Sequence, residues 1–314
     1  MAVMAVGRRG SVLARRRAMY GYLFISPFLV GFAIFTAYPV LASLYLSFTA
    51  YNILTPPRWI GIENYIEAFT RDPQFWPSLG RTARYTALVV PLGVLASLGA
   101  AMLLNQGFPG TSVFRTFFFM PSIVPIIASV LIWIWLLQPS IGLVNYLLGL
   151  LGVAPLTWLQ STTWALPSLV LIGLWGTAGG SRMVVFLAGL QGVPRELYEA
   201  AEIDGAGRWR RFVSVTVPMI SPVIFFNLVI SIIGALSVFS VAFIGTAGGP
   251  AYATHFYVYH LYLNAFDYRQ MGYASALAWV FLLLVLALTV IQFQLSNRWV
   301  YYAGDEQPER REDG

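Results

Sequence analysis

The chain has 314 residues, of which 58% are hydrophobic and only 10% charged, where a soluble domain carries about a quarter. No charged residue falls within 18–57, 85–114, 116–181, 212–266 or 270–297. A soluble protein cannot keep such runs from water, so the composition excludes a soluble enzyme, a disordered chain and a nucleic-acid-binding domain.

Cysteine is absent, which removes disulfides, thiolate metal sites and a cysteine nucleophile. Lysine is absent too, and all 19 basic residues are arginine. A P-loop requires the lysine of GxxxxGK[ST], so any ATP used by this system binds to another subunit. Only two histidines are present. On one helix, His255 and His260 would sit about 140° apart, so no shared metal site is expected. The basic balance fits arginines flanking apolar runs better than it fits a nucleic-acid surface.

A helical span needs about 20 apolar residues to cross about 30 Å of hydrocarbon. Six stretches qualify, at 20–46, 84–105, 116–137, 165–190, 222–244 and 274–295. They predict an all-α polytopic membrane protein with six transmembrane helices. The tail before the first span (1–19) holds Arg8, Arg9, Arg15, Arg16 and Arg17 with no acid, which places the N-terminus in the cytoplasm. Six spans return the C-terminal tail (303–314) to the same side. The first apolar run exceeds the 7–15 residues of a signal-peptide core, so it reads as a span.

The loop at 49–83 carries four prolines with Trp59 and Trp76. The loop at 138–164 has a leucine-rich stretch around Asn145 and reads as a short interfacial helix, with Trp158 and Trp164 as belt residues. The fourth span holds Gly173, Gly176, Gly179 and Gly180, which permit a kink or a close helix approach. Arg182 follows them. An intramembrane charge faces a cavity or a partner, or else it snorkels to the interface. Asn227, Ser231 and Gly234 share one face of the fifth span, as a hydrophilic path or as small-residue packing. Trp175 is an aromatic that can stack on a sugar or simply pack.

Residues 190–221 form the densest charge cluster between two spans. Pro194 suits a helix start, and Glu196 and Glu199 favour its N-terminal end. Asp204-Gly205 stops the helix. A second short helix follows over about 208–215.

Glu199-Ala200-Ala201, then three residues, Gly205, nine residues, Val215, one residue and Val217-Pro218 together resemble the EAA loop. That loop marks the permease subunits of binding-protein-dependent ABC importers. The family usually has Ile and Leu where Val215 and Val217 stand here. The longer runs 196–201 and 203–206 resemble the carbohydrate-uptake branch. So do Ser26-Pro27-Phe28, Tyr38-Pro39, Gly61-Ile62-Glu63-Asn64-Tyr65, Asp72-Pro73-Gln74-Phe75-Trp76 and 186–191 with Pro194. The likeness covers about 20–302 and is closest to the first permease of maltose-type or glycerol-3-phosphate importers.

The resemblance implies a permease domain (20–302) whose EAA loop (194–218) docks an ATPase through Glu199, Ala200, Ala201, Asp204, Gly205 and Pro218. Candidates for the solute path are Arg182, Asn227, Ser231 and Trp175. The implied partners are a second homologous permease, two ATPase subunits, an extracytoplasmic solute-binding protein and membrane lipid, with no nucleic acid. The chain itself has no catalytic residue, metal or cofactor, and ATP and Mg belong to the partner ATPase. It would lie in the inner membrane of a bacterial or archaeal cell. The alternative is an ATP-independent secondary transporter or channel, which needs no ATPase dock.

Overall fold

The computed structural model describes residues 12–301. The readings on Arg8, Arg9 and the tail at 303–314 lie outside the described residues. The described residues are all-α apart from one two-residue strand pair. They form two compact units, 12–68 with 264–279 and 69–263 with 280–301.

The first unit is built on helix α1 (12–47), which passes through a π-helical turn at Ala33–Ala37. Arg15, Arg16 and Arg17 lie on this helix. Among the described residues, its central apolar side chains are exposed. They suit lipid or a partner, since lipid provides no drive to bury them. After α1, strands β1 (Thr49–Ala50) and β2 (Arg58–Trp59) pair antiparallel. Buried Asn64 donates to Ser47 O (2.8 Å) and Thr49 O (3.0 Å), closing the loop onto the end of α1. Phe48 stacks on Trp59. Gly272 packs against the Thr49 carbonyl, where a Cβ would clash. The motif around Asn64 thus has a structural role.

The second unit centres on α2 (Phe75–Leu104). Against it pack α6 (Ala165–Thr177), α7 (Gly180–Gln191) and α10 (Ser221–Leu236). Val130, Leu169, Met183, Phe186 and Phe256 are fully buried there. Ser97 of α2 donates to Thr177 O at 2.8 Å. A Cβ on Gly189 would stand 2.9 Å from Val223, so that glycine sets the approach of α7 to α10.

Three of the expected spans are broken. In the third, α3 (Thr111–Ile123) and α4 (Ile126–Leu136) meet at 97°. Pro125 is the cause: it has no N–H to continue α3, and it holds Val124 extended. In the fourth, α6 and α7 meet at 53°. Gly180 there adopts φ +65°, which a side chain resists. A Cβ on Gly179 would strike the Phe118 carbonyl, so this glycine run both bends the span and admits α3. The fifth is preceded by α9 (Arg208–Met219), which meets α10 at 68°, and is itself interrupted at 237–239. Helix α10 stops at Leu236, short of the expected 244, and α11 (Ser240–Gly245) is separate.

The 138–164 loop contains the expected short helix, α5 (Leu143–Leu150). Asn145 holds the loop together. It donates to Pro139 O (3.0 Å) and Leu156 O (2.9 Å), and it accepts from Leu156 N (3.2 Å) and Trp158 Nε1 (2.8 Å). Trp158 is therefore a packing residue of this loop, with its ring edge against Trp164. The chain then runs from α11 to α12 (Tyr257–Tyr262) and into α13 (Met271–Ser296).

Candidate functional site

Two regions of the second unit carry the residues singled out by sequence. The first is the loop between α7 and α10. Helix α8 (Arg195–Ile203) follows Pro194, which stands at the N-cap, one residue ahead of the first turn. The helix ends in a Schellman motif. Ala206 N–H donates to Ala201 O (2.9 Å), and Gly205 N–H donates to Glu202 O (3.0 Å). Gly205 takes φ +76°, the left-handed conformation this motif requires. The chain then reverses into α9. Two side-chain links join the helices: Tyr198 OH with Thr216 Oγ1 (2.9 Å), and Arg211 Nη1 donating to Glu202 Oε2 (2.9 Å).

The unit leaves one face bare. Glu199, Ala200, Asp204 and Gly205 are exposed, Ala201 and Pro218 are half-buried, and Ile203 and Trp209 are 87% and 75% exposed. The charges, the apolar patch and the tied helix pair make this loop a preformed surface.

The second region is a cavity of about 640 Å3 where the broken helices meet. Arg182, in the first turn of α7, lines it together with Tyr85, Ser122, Ser129, Thr177, Ser231, Gly234 and Ser240. Asn227 joins Arg182, Ser181 and Ser231 around a smaller adjoining cavity. Arg182 Nη1 is buried and has no hydrogen-bond partner among the described residues. It lies beside Gly93, eleven residues from the Leu104 end of α2, or about 16 Å.

The structure thus brings Arg182, Ser231 and Asn227 together and leaves Trp175 apart. Trp175 lines an apolar groove with Phe117, Pro121 and Trp133, its ring edge-on to Trp133. Tyr85, Ser122, Thr177 and Ser240 were not expected in the cavity, since each is a lone hydroxyl on a different element. Pro125 was the available signal that α3 turns there.

The histidines also differ from expectation. His255 precedes α12 and Phe256 is extended, so the two are not on one helix. His255 Nε2 and His260 Nδ1 share a hydrogen bond at 3.1 Å, and His260 Nε2 pairs with Asp72 Oδ2 at 2.7 Å. Among the described residues, no group of three or more His, Cys, Asp and Glu is placed to hold a metal. Burial, His260 and Arg81 push the His255 pKa down to about 4, with Asp72 pulling the other way.

Comparison with known proteins agrees with this architecture. Residues 90–301 match the family described as "Binding-protein-dependent transport system inner membrane component". A probable ABC transporter permease protein (YesP) of Bacillus subtilis is 43% identical, over 93% of this chain and 95% of its own length. The sulfoquinovosyl glycerol transport system permease protein of Agrobacterium fabrum is 33% identical, over 87% and 89%. The trehalose/maltose transport system permease protein of Thermococcus litoralis is also 33% identical, over 91% and 97%. A chain of a bacterial alginate ABC transporter, solved with an alginate-bound periplasmic protein, shares the fold. Its TM-score is 0.79 at 22% identity, covering 93% of this chain and 98% of that one. A tied helix pair between two spans, a hydroxyl-lined cavity among broken helices and these likenesses converge: the chain belongs to the inner membrane components of binding-protein-dependent transport systems.

Proposed function

We propose that the chain is the permease subunit of an ATP-driven importer for a carbohydrate-type solute, working beside a second, similar permease. Two ATPase subunits bind ATP and Mg beneath it, and an extracytoplasmic binding protein delivers the solute. The relatives' sugar and sugar-derivative substrates support the solute class. The single observation that carries the coupling role is the α8–α9 loop, rigid within itself and bare on its outer face. Glu199, Ala200, Ala201, Asp204 and Gly205 present that face, and Pro218 leads the movement into α10. When the ATPase pair closes, the loop moves as one piece and shifts the joined spans, which exchanges access to the cavity. Arg182, Ser231 and Asn227 line the path. The dense arginine of the N-terminal segment and of the α8–α9 loop supports both termini lying in the cytoplasm.

Detergent co-purification with the ATPase and ATP-dependent uptake into proteoliposomes test this reading. Reporter fusions after Phe69, Gly207 and Thr254 test the orientation. A fusion at Gly207 reporting from outside ends the proposal, because the loop could not meet a cytoplasmic ATPase. Uptake that proceeds without ATP favours a secondary transporter.

A further inference from the structure

We propose that the carried solute bears an oxyanion (a carboxylate, phosphate or sulfonate on a hydroxylated frame) and that Arg182 is the group that pairs with it. This rests on the importer reading and names its substrate class.

The guanidinium of Arg182 is charged at every working pH. It lies within the fourth apolar run, eight residues before the end at 190, where an unpaired charge is expensive, and its Nη1 is buried with no partner among the described residues. The chain holds no remedy elsewhere in its spans. Aspartate and glutamate are absent from 1–62, 73–195, 205–266 and 268–304, so every acid stands outside the six apolar runs. The two cavities around Arg182 accordingly have no acidic lining residue. The counter-charge therefore comes from another molecule.

The rest of the lining says what kind of molecule. Thr177 Oγ1 donates its proton to Gly173 O, Ser122 Oγ to Phe119 O and Ser231 Oγ to Asn227 O. With their protons committed to backbone, these oxygens offer lone pairs to incoming hydroxyl donors. The site thus presents acceptors for hydroxyls and one fixed cation, which is complementary to a hydroxylated anion. A neutral sugar would leave the guanidinium unpaired. The volume of about 640 Å3 lies in the usual range for a small-molecule site.

The test uses the whole transporter with its binding protein in proteoliposomes and three matched probe pairs. These are trigalacturonate and its methyl ester, sn-glycerol 3-phosphate and glycerol, and 6-sulfonated glucose and glucose. The expected result is ATP-dependent uptake of at least one charged probe, at least ten times faster than its neutral mate; which pair responds identifies the oxyanion. Arg182→Gln is expected to lower that uptake at least tenfold, and Arg182→Lys to retain part of it, with the yield of assembled complex unchanged. The proposal is overturned by comparable uptake of a neutral mate, by uptake of no charged probe, or by normal charged-probe uptake in Arg182→Gln. It is equally overturned if Arg182→Gln, but not Arg182→Lys, lowers the yield of complex, because the counter-ion then belongs to a partner chain. ATP hydrolysis by the wild-type liposomes separates the two readings. If hydrolysis is present without charged-probe uptake, the charge proposal fails alone; if the ATPase does not co-purify at all, the importer reading fails with it.

Discussion

Arg182 occupies space that a side chain at Gly93 would need: a Cβ there would stand 2.7 Å from Arg182 Nη1 and 3.3 Å from Thr177 Oγ1. The glycine costs α2 some helix stability, because alanine is better by about 1 kcal/mol in a helix interior. In return, the guanidinium can lie against the backbone of a neighbouring span.

This relationship predicts that stability and transport separate in Gly93→Ala. The atom displaced is the far end of a flexible side chain, so α2 gains propensity while Arg182 loses its seat. The unfolding temperature of the purified complex should hold or rise slightly, and ATP-dependent uptake should fall about tenfold. Unchanged uptake with a lower unfolding temperature would assign Gly93 to helix packing alone.

The buried pair His255 and His260 predicts a pH dependence of stability. His255 is a base whose pKa drops on folding, from about 6.5 in an unfolded chain to about 4. Its stabilising effect is therefore complete above about pH 6.5. As pH falls, the unfolded state takes up a proton that the folded state refuses until about pH 4, so stability declines across that window. The loss is on the order of 2 kcal/mol. His255→Asn keeps a polar neighbour for His260 and removes the titration. Unfolding temperatures of both proteins, measured between pH 7 and pH 4, should converge at the acidic end. Parallel curves would show that His255 does not titrate in this range.

The spans were legible because lipid enforces composition: a charge-free run of 20 or more residues has few other uses. The α8–α9 loop was legible because its cap chemistry is local, from Pro194 to the Asp204-Gly205 stop. The breaks were only partly readable. Pro125 and Gly179-Gly180 mark theirs, but nothing marks the end of α10 at Leu236, where Ser237 bonds back to Ile233 O and Phe239 leaves helical geometry. The 140° angle between the histidines does not apply, because a spacing implies an angle only on one continuous helix. The cavity is legible at Arg182, the one charge away from the ends of the expected spans. Its hydroxyl lining is not, because Tyr85, Ser122, Thr177 and Ser240 meet only through tertiary packing. Trp175 lies outside the cavity because one step of 100° around α6 separates it from Gly176, which does face it.

Asn145 predicts local rather than global damage in its loop. It is buried and makes four hydrogen bonds within 139–158. Asn145→Ala strands the Pro139 and Leu156 carbonyls and the Leu156 and Trp158 N–H groups, at about 1–3 kcal/mol for each group that stays buried. The loop should open before the spans do. Limited proteolysis should therefore cut Asn145→Ala within 150–164 at a protease level that spares the wild type, while the complex still assembles. Equal resistance in both proteins would mean that α5 packs without its asparagine.

The last prediction separates conformation from charge on the α8–α9 loop. A Cβ on Gly205 would meet nothing within 4 Å, so space is not the constraint there; the φ of +76° is. An L-residue pays about 1–2 kcal/mol in that conformation, and a β-branched one more. Asparagine tolerates it best. The damage should therefore rank Gly205→Asn below Gly205→Ala below Gly205→Val. Glu199→Lys leaves the backbone alone and reverses one exposed charge. Removing one partner of a desolvated pair typically costs about 2–5 kcal/mol, so ATPase co-purification should fall at least tenfold. The Gly205 series should instead uncouple hydrolysis from uptake in graded steps, because the loop stays present but loses its fixed turn. Neither position lies in a span, so membrane insertion should be normal throughout. If Gly205→Val and Gly205→Asn behave alike, the Schellman turn is not what transmits movement; if Glu199→Lys also co-purifies and transports normally, the bare face of α8 does not meet the ATPase.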